Sequence, residues 1–248
     1  MLSCRAMRGF TIMELLIAMF LSSLLISGVA ALMGSSVAAY RQQLAHGQME
    51  ESGRFARGTL ASHITQAGFH PRPWQGGLPA LTAGSINGLG VAGDQLGLQR
   101  WSARNCYGNQ NPVTGADGRP EFYLLQTDFR INPNDNLVMT CRYGPHASNL
   151  TTQVNNFGLA ENVETLQALY AEDRDGDGIA DGWVQAGAWT DESRVLAIKV
   201  AMLITSPKVS RGSAPRPITL LDETFAAPAD GRLRRVVTLV AVIRGRLP

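Results

Sequence analysis

Near its start the chain reads Arg8-Gly9-Phe10-Thr11-Ile12-Met13-Glu14-Leu15-Leu16-Ile17-Ala18-Met19-Phe20-Leu21-Ser22-Ser23-Leu24-Leu25, which opens a long apolar run. From Phe10 to Met33 the residues are apolar or small apart from Glu14. At about 1.5 Å per residue this run makes a helix of roughly 36 Å, and a bilayer core is about 30 Å thick. The sequence therefore predicts one membrane-spanning helix, at residues 10–34. Arg5 and Arg8 precede this helix and predict that the N-terminus stays in the cytoplasm.

Glu14 is the unusual residue of this helix, because a carboxylate near the centre of a membrane helix costs about 2.5 to 3.5 kcal/mol. Two interpretations follow. The carboxylate can lie at headgroup depth, where the positive end of the helix favours an anion. Alternatively, it can pair with a cation inside a bundle of helices, where each buried charge needs its partner.

Gly9, Phe10 and Glu14 together resemble, in order and spacing, the N-terminus of type IV prepilins. That resemblance implies a leader peptide at residues 1–9. It also implies a prepilin peptidase that cuts between Gly9 and Phe10 on the cytoplasmic side and methylates the new amine of Phe10. In such proteins Glu14 would pair with the N-terminal amine of a neighbouring subunit.

An ordinary secretory signal is the main alternative for this segment, with Val29-Ala30-Ala31 as its cleavage site. The apolar core of such a signal usually spans about 7 to 15 residues. The run here is longer and contains an acid, so we prefer the prepilin interpretation.

Composition describes a folded chain with one globular domain after the helix. The chain has 248 residues, of which 45% are hydrophobic and 17% charged. Removing Arg5 and Arg8 from the 22 basic residues leaves 20, which equals the 20 acidic residues, so no nucleic-acid partner is expected.

Cysteine usage agrees with export. Cys4 lies in the leader, which leaves Cys106 and Cys141 as a pair on the oxidising side of the membrane. We predict a disulfide, which would stabilise the fold by about 3 to 4 kcal/mol on the loop-entropy model. Two free buried thiols are the alternative.

An amphipathic continuation of the helix is predicted at residues 35–69. Val37, Tyr40 and Leu44 recur at helical spacing, and Ala56, Leu60, Ile64 and Ala67 do so after a shift of register. Glycines lower helix propensity by about 1 kcal/mol each, so a bend or local melting is expected between residues 47 and 58. The glycines concerned are Gly47, Gly53 and Gly58.

The segment from Pro71 to Gly93 is rich in Gly and Pro and predicts an irregular crossing. Within it, Gly88-Leu-Gly-Val-Ala-Gly93 satisfies the dinucleotide-binding spacing G-x-G-x-x-G. A long strand before it and a long helix after it are required for that function, and the sequence predicts neither.

Short runs of strand character fill the rest of the chain and are separated by loops rich in Asn, Gly, Pro and Asp. They predict an α+β fold in which the long N-terminal helix packs on an antiparallel β-sheet domain at residues 70–248. Val195 to Thr205 is almost continuously apolar, so one of its faces should contact the core of the sheet and the other the helix. The predicted strands are Gln95–Trp101, Phe122–Phe129, Leu137–Cys141, Val163–Tyr170, Val195–Thr205 and Arg235–Arg244.

The segments Val163–Tyr170, Val195–Thr205 and Asp230–Arg244 look like the C-terminal half of PilW-type minor pilins. The resemblance implies a structural minor pilin that is held in the bacterial inner membrane with its C-terminal domain in the periplasm. From there it would move to the pilus tip at the cell surface and help to initiate and cap a type IV pilus. Expected partners are other minor and major pilins, the prepilin peptidase, the inner-membrane assembly platform and a large tip adhesin. A J-type pseudopilin of a secretion system and a secreted calcium-dependent binding domain are the alternatives.

An acidic loop, Asp173-Arg-Asp-Gly-Asp-Gly-Ile-Ala-Asp181, carries the remaining chemistry. Asp173, Asp175, Asp177 and Asp181 occupy positions 1, 3, 5 and 9 of an EF-hand-type loop, and Ile179 would offer its carbonyl at position 7. The bidentate Glu of position 12 is replaced by Val184. We predict calcium as the bound ion and no other cofactor, and a solvated Asp/Gly turn is the alternative.

Enzyme activity is not predicted, because the sequence has neither G-x-S-x-G nor H-E-x-x-H. The four histidines have no ligand or triad spacing. They are His46, His63, His70 and His146.

Overall fold

The fold was analysed in a computed structural model, which describes residues 11–75, 77–88, 90, 93–207, 217–226 and 228–246. The chain divides into two compact units, and the boundary lies between Leu44 and Ala45. The second unit therefore takes in the C-terminal part of the helix, whereas the sequence placed the globular domain at residues 70–248. This difference arises because the helix itself supplies part of the domain core.

One helix, α1, spans Ile12–Gln66 without interruption. Thr11 caps its start: the Glu14 backbone N–H donates to Thr11 Oγ1 (3.3 Å), and the Thr11 N–H donates back to Glu14 Oε2 (3.2 Å). This reciprocal pair is a capping box, which satisfies two backbone donors that a helix start leaves free. At the other end Gly68 adopts φ 71° and its N–H donates to Gln99 O (2.8 Å). A left-handed glycine just past the last turn is a common helix stop.

The expected local melting at the three glycines is wrong, because the helix continues through all of them. Gly53 instead contacts the sheet: a Cβ there would lie 2.9 Å from Ile204 Cδ1 and 3.0 Å from Val237 Cγ2. Gly47 and Gly58 face open space. The helix tolerates their low propensity because packing of one face holds it in place.

Burial on α1 begins at Ala45 and follows one face through Met49, Ala56, Leu60 and Ile64. The last three match the predicted apolar stripe and contribute to the main core. The predicted stripe at Val37, Tyr40 and Leu44 is exposed in the first unit.

Ten strands follow the helix among the described residues. In chain order they are β1 (Leu96–Ser102), β2 (Tyr123–Ile131), β3 (Leu137–Gly144), β4 (Thr151–Ala160), β5 (Val163–Glu172), β6 (Gly182–Val184), β7 (Val195–Thr205), β8 (Pro217–Leu220), β9 (Glu223–Ala226) and β10 (Arg234–Val242). Each of the six predicted strands is present within a few residues of its expected bounds. The other four, β4, β6, β8 and β9, were not predicted.

These strands form two four-stranded antiparallel sheets and a separate hairpin, rather than the single sheet that the sequence suggested. The first sheet has the order β1-β2-β3-β4, and the second has the order β10-β7-β5-β6. β8 and β9 form the hairpin. The antiparallel α+β class is confirmed.

The two faces of β7 are covered differently from what was expected. Ile198, Val200, Met202 and Ile204 contribute to the main core, which also contains the helix residues. The opposite face, with Ala201 and Leu203, packs on the β8–β9 hairpin through Leu220. The hairpin, and not the core of the sheet, buries the second face of this apolar strand.

Arg234 joins the last strand to β5. Its guanidinium donates to Glu164 Oε2 (2.7 Å) and to Asp230 Oδ2 (2.7 Å), and the side chain is only 6% exposed. These bonds from Arg234 hold the pKa of Asp230 well below its usual value. A forked guanidinium satisfies two carboxylates at once, which fixes the entry of β10 into the sheet.

Candidate functional site

The first candidate site is the N-terminal part of α1. Every described side chain from Thr11 to Leu44 is exposed, including Leu16, Phe20 and Leu24. The best 18-residue window of α1 has a mean hydropathy of 2.4, so this helix is long and apolar enough to cross a membrane. An apolar helix of this kind needs lipid or other apolar helices around it.

Glu14 lies in the first turn of this helix. In addition to the two backbone bonds, the Thr11 hydroxyl donates to Glu14 Oε2 at 3.1 Å. The carboxylate thus has a local partner within its own chain. Sequence reasoning missed this role, although Thr11-x-x-Glu14 fits the capping-box pattern. Gly9 and Phe10, the predicted cleavage and methylation residues, lie outside the described residues.

The second candidate site is the acidic loop, which connects β5 to β6 as a hairpin. Glu172 pairs with Gly182, so the nine residues from Asp173 to Asp181 form the connection. Carboxylate oxygens of Asp173, Asp175 and Asp177 lie within 4.8 Å of one another. This distance suits ligands that converge on one cation.

Backbone hydrogen bonds hold the three carboxylates in place. Asp173 accepts from the N–H of Gly176 (2.6 Å) and of Gly178 (2.9 Å), and Asp177 accepts from the N–H of Ile179 (2.7 Å). Burial raises the pKa of Asp173, but these bonds outweigh it and the net pKa is lowered. A hydrogen bond from the Asp177 N–H lowers the pKa of Asp175, but the neighbouring charge of Asp177, together with smaller effects, makes the net shift upward. The like charges therefore repel one another, and a cation would relieve that repulsion.

Asp181 does not join this group. Its carboxylate accepts from the Arg174 N–H at 2.6 Å. Ile179 is exposed, and its N–H is already bonded to Asp177. The structure thus brings together three of the four predicted aspartates.

Glu172, which precedes the loop, is fully buried and has a structural role. It accepts from Thr190 Oγ1, from the Thr190 N–H (2.5 Å) and from Arg174 Nε (3.2 Å). These bonds, with the Thr190 hydroxyl first, lower the pKa of Glu172 to about 2. They anchor the loop to the segment before β7.

A disulfide joins Cys106 to Cys141 in the first sheet, with their Cα atoms 5.9 Å apart. This is the predicted pair. It connects the loop after β1 to the middle of β3.

A family model described as Type IV Pilus-assembly protein W matches residues 122–245, which is half of the chain. The chain belongs to the PilW family. A model of the prokaryotic N-terminal methylation motif matches residues 4–30 and covers the segment with Gly9, Phe10 and Glu14. A comparison with curated proteins gave no match.

The fold of this chain is similar to that of a solved structure, a type IV-like pilin from Thermus thermophilus. The two are 16% identical, with a TM-score of 0.53 over 80% of this chain and 98% of that one. Family, motif and fold agree, so the chain is a type IV pilin-like minor pilin with an N-terminal methylation motif.

Proposed function

We propose that this PilW-family chain helps to initiate and cap a type IV pilus. The observation that supports this most is the apolar stretch of α1, in which every described side chain from Thr11 to Leu44 is exposed, so that it needs lipid or other apolar helices around it. The helix holds the chain in the inner membrane, with the β domain in the periplasm, until it packs with the helices of other pilins. At the tip the β domain would contact a large adhesin.

In this proposal the prepilin peptidase cuts between Gly9 and Phe10 and methylates the Phe10 amine. The amine of a neighbouring subunit then competes with Thr11 for the Glu14 carboxylate. The exchange is feasible because Thr11 offers only neutral donors, while an ammonium adds charge and forms a stronger bond.

Variants at residues 9 and 14 test two separate steps. Gly9→Leu should leave the leader uncut, so mass spectrometry of the membrane fraction should find the full N-terminus. Glu14→Gln should be cut normally but should co-purify with fewer pilins, because the neutral amide does not attract the amine. Glu51→Gln, which removes an exposed carboxylate farther along the same helix, is the matched control and should behave like the parent chain.

Normal cleavage of Gly9→Leu after residue 9 would contradict processing by a prepilin peptidase. A mature chain that begins near Leu32 would instead support the secreted binding domain. Co-purification with secretion components rather than pilins would support a J-type pseudopilin. The PilW family match favours the pilus over both alternatives.

We also propose that the acidic loop binds calcium, supported by the convergence of the three carboxylates. Asp173, Asp175 and Asp177 would be direct ligands together with the Ile179 carbonyl. Asp181 would complete the shell only by releasing the Arg174 N–H. Because the position-12 carboxylate is missing, we expect a Kd of about 10⁻⁴ to 10⁻³ M, typical of extracellular modules. The ion would hold β5 and β6 together.

Thermal melting of a soluble fragment without residues 1–34 tests this site. Calcium at about 5 mM should raise Tm by roughly 2 to 8 °C relative to a chelator, since binding stabilises the native state by mass action. Asp175→Ala with Asp177→Ala should abolish the rise, and Glu161→Ala, which removes an exposed acid outside the loop, should keep it. Equal melting of the unmutated fragment in calcium and in chelator would show that the loop is only a charged turn.

A further inference from the structure

Arg100 is an unpaired cation on the inward face of β1. Leu96, Leu98 and Arg100 alternate along the strand and so share that face, and the two leucines are buried in the main core. The Nε atom of Arg100 is buried and has no hydrogen-bond partner. No ion pair between described residues includes Arg100.

Arg100 is half-buried, and a buried guanidinium nitrogen without a hydrogen-bond partner is uncommon, because an unsatisfied buried polar group costs free energy. Arg234 in the same domain shows the usual arrangement, with two carboxylates on one guanidinium. An anion in contact with Arg100 would satisfy this nitrogen, and no described carboxylate forms an ion pair with it.

Arg100 lines a cavity of about 710 Å³ between the end of α1, β1 and the loop that carries Cys106. This volume is in the usual range for small-ligand sites. Three arginines and no acidic residue are among its described lining residues: Arg100, Arg104 and Arg244. Phe69, Phe122 and Leu125 add apolar surface.

The three arginines of the cavity form no ion pair with a described carboxylate, so their positive charge can attract an anionic ligand. Arg104 uses one N–H on Gly108 O at 2.8 Å, and Arg244 is exposed at the side of the cavity. His63 also lines the cavity, but burial, and then the charge of Arg100, lower its pKa to about 4. The imidazole is thus neutral at pH 7, and the three guanidiniums set the potential.

We propose that this cavity binds a small ligand with an oxyanion, a carboxylate or phosphate group attached to an apolar body, and that Arg100 is its principal charge contact. The planar fork of a guanidinium matches both kinds of oxyanion, and the aromatic side chains suit the apolar body. The lining residues include the C-terminal end of α1 but neither its apolar stretch at residues 11–44 nor the acidic loop, so the site does not depend on either function proposed above.

Three probes distinguish the two sources of the anion: inorganic phosphate, phenyl phosphate and benzoate. They are added to the full chain in detergent micelles at constant ionic strength, up to about 10 mM, a range in which mass action reveals weak sites. Binding is measured by calorimetry and by NMR of the imidazole signals. At least one probe should shift the His63 signals and raise the pKa of His63, because a bound anion offsets the charge of Arg100. His46 and His146, which do not line the cavity, serve as internal references.

Arg100→Met removes the charge and keeps the apolar bulk, and it should weaken binding about tenfold or more, as expected for a lost charged hydrogen bond. Arg100→Lys keeps the charge without the fork and should bind with intermediate affinity. It keeps the test valid if the methionine variant does not fold. Arg119→Gln, which removes an exposed arginine outside the cavity, is the matched control and should bind like the parent chain.

Tighter binding of benzoate or of phenyl phosphate would support the proposal and identify the carboxylate or the phosphate as the recognised group. The proposal is overturned if none of the probes shifts His63. It is equally overturned if the parent chain and the Arg100 variants bind with the same affinity.

Discussion

At the scale of single residues, Asp94 explains the glycine pattern that resembles a dinucleotide-binding loop. Its buried carboxylate accepts from the Gly88 N–H (2.8 Å) and from the Ala168 N–H (2.7 Å) and so ties this segment to β5. A Cβ at Gly88 would lie 1.9 Å from Gly93 O, and one at Gly93 would lie 2.7 Å from Leu166 O. β1 follows directly, so the glycines allow close backbone packing rather than phosphate binding.

Asp94 should also give the domain a measurable pH dependence. Burial raises its pKa to about 6, above the ordinary value of 3.8, although both hydrogen bonds oppose the shift. The folded chain therefore holds this proton more tightly than the unfolded chain, so the contribution to stability is full below pH 3.8 and is lost as the pH rises through about 6.

Asp94→Asn provides the comparison, because the amide does not titrate and can accept only one of the two backbone bonds. The variant should be less stable by about 1 to 3 kcal/mol, the cost of a buried donor left unsatisfied. The deficit relative to the parent should shrink between pH 4 and pH 7, as followed by thermal melting. A deficit that is constant over this range would contradict the raised pKa.

At the scale of elements, α1 combines two kinds of glycine. Gly53→Ala should be destabilising relative to the other two alanine variants by about 1 to 3 kcal/mol, since its Cβ must displace Ile204 or Val237 in a packed core. In Gly47→Ala and Gly58→Ala the added Cβ would point into open space. Each of these variants should stabilise the domain by about 0.5 to 1 kcal/mol, because alanine has a higher helix propensity than glycine. Urea unfolding of the fragment without residues 1–34 measures all three. An equal gain at the three positions would show that the helix does not contact the sheet at Gly53.

The strands show which elements are visible in a sequence. β5 and β7 were predicted with accurate bounds because each is mostly buried and rich in apolar residues. β4 (Thr151–Ala160) was missed because it is an edge strand with mostly exposed, polar side chains, and Asn and Gly are poor strand formers. β8 and β9 are short and become strands only by pairing with each other.

At the scale of the whole molecule, the disulfide acts on the unfolded chain. It closes a loop of 35 residues between Cys106 and Cys141. Replacing both cysteines by serine should lower the free energy of unfolding by about 2 to 5 kcal/mol, because the unfolded chain regains the freedom that the cross-link removes. Urea unfolding of the double variant and of the oxidised parent measures the difference. A reduced parent that is as stable as the oxidised one would contradict this role.

Local patterns were enough to predict the N-terminal helix, its methylation motif, the cysteine pair, the antiparallel α+β class and the acidic loop. Most of these features depend on residues close in sequence. The disulfide is the exception, and it was predicted because only two cysteines follow the predicted leader. Three features depend on the tertiary structure: the division into two sheets, the close contact at Gly53 and the unpaired Arg100 beside His63. They involve residues from segments far apart in the chain, and their energies come from packing and from charge burial. Local sequence patterns do not reveal contacts between distant segments, so these three features could be seen only in the folded chain.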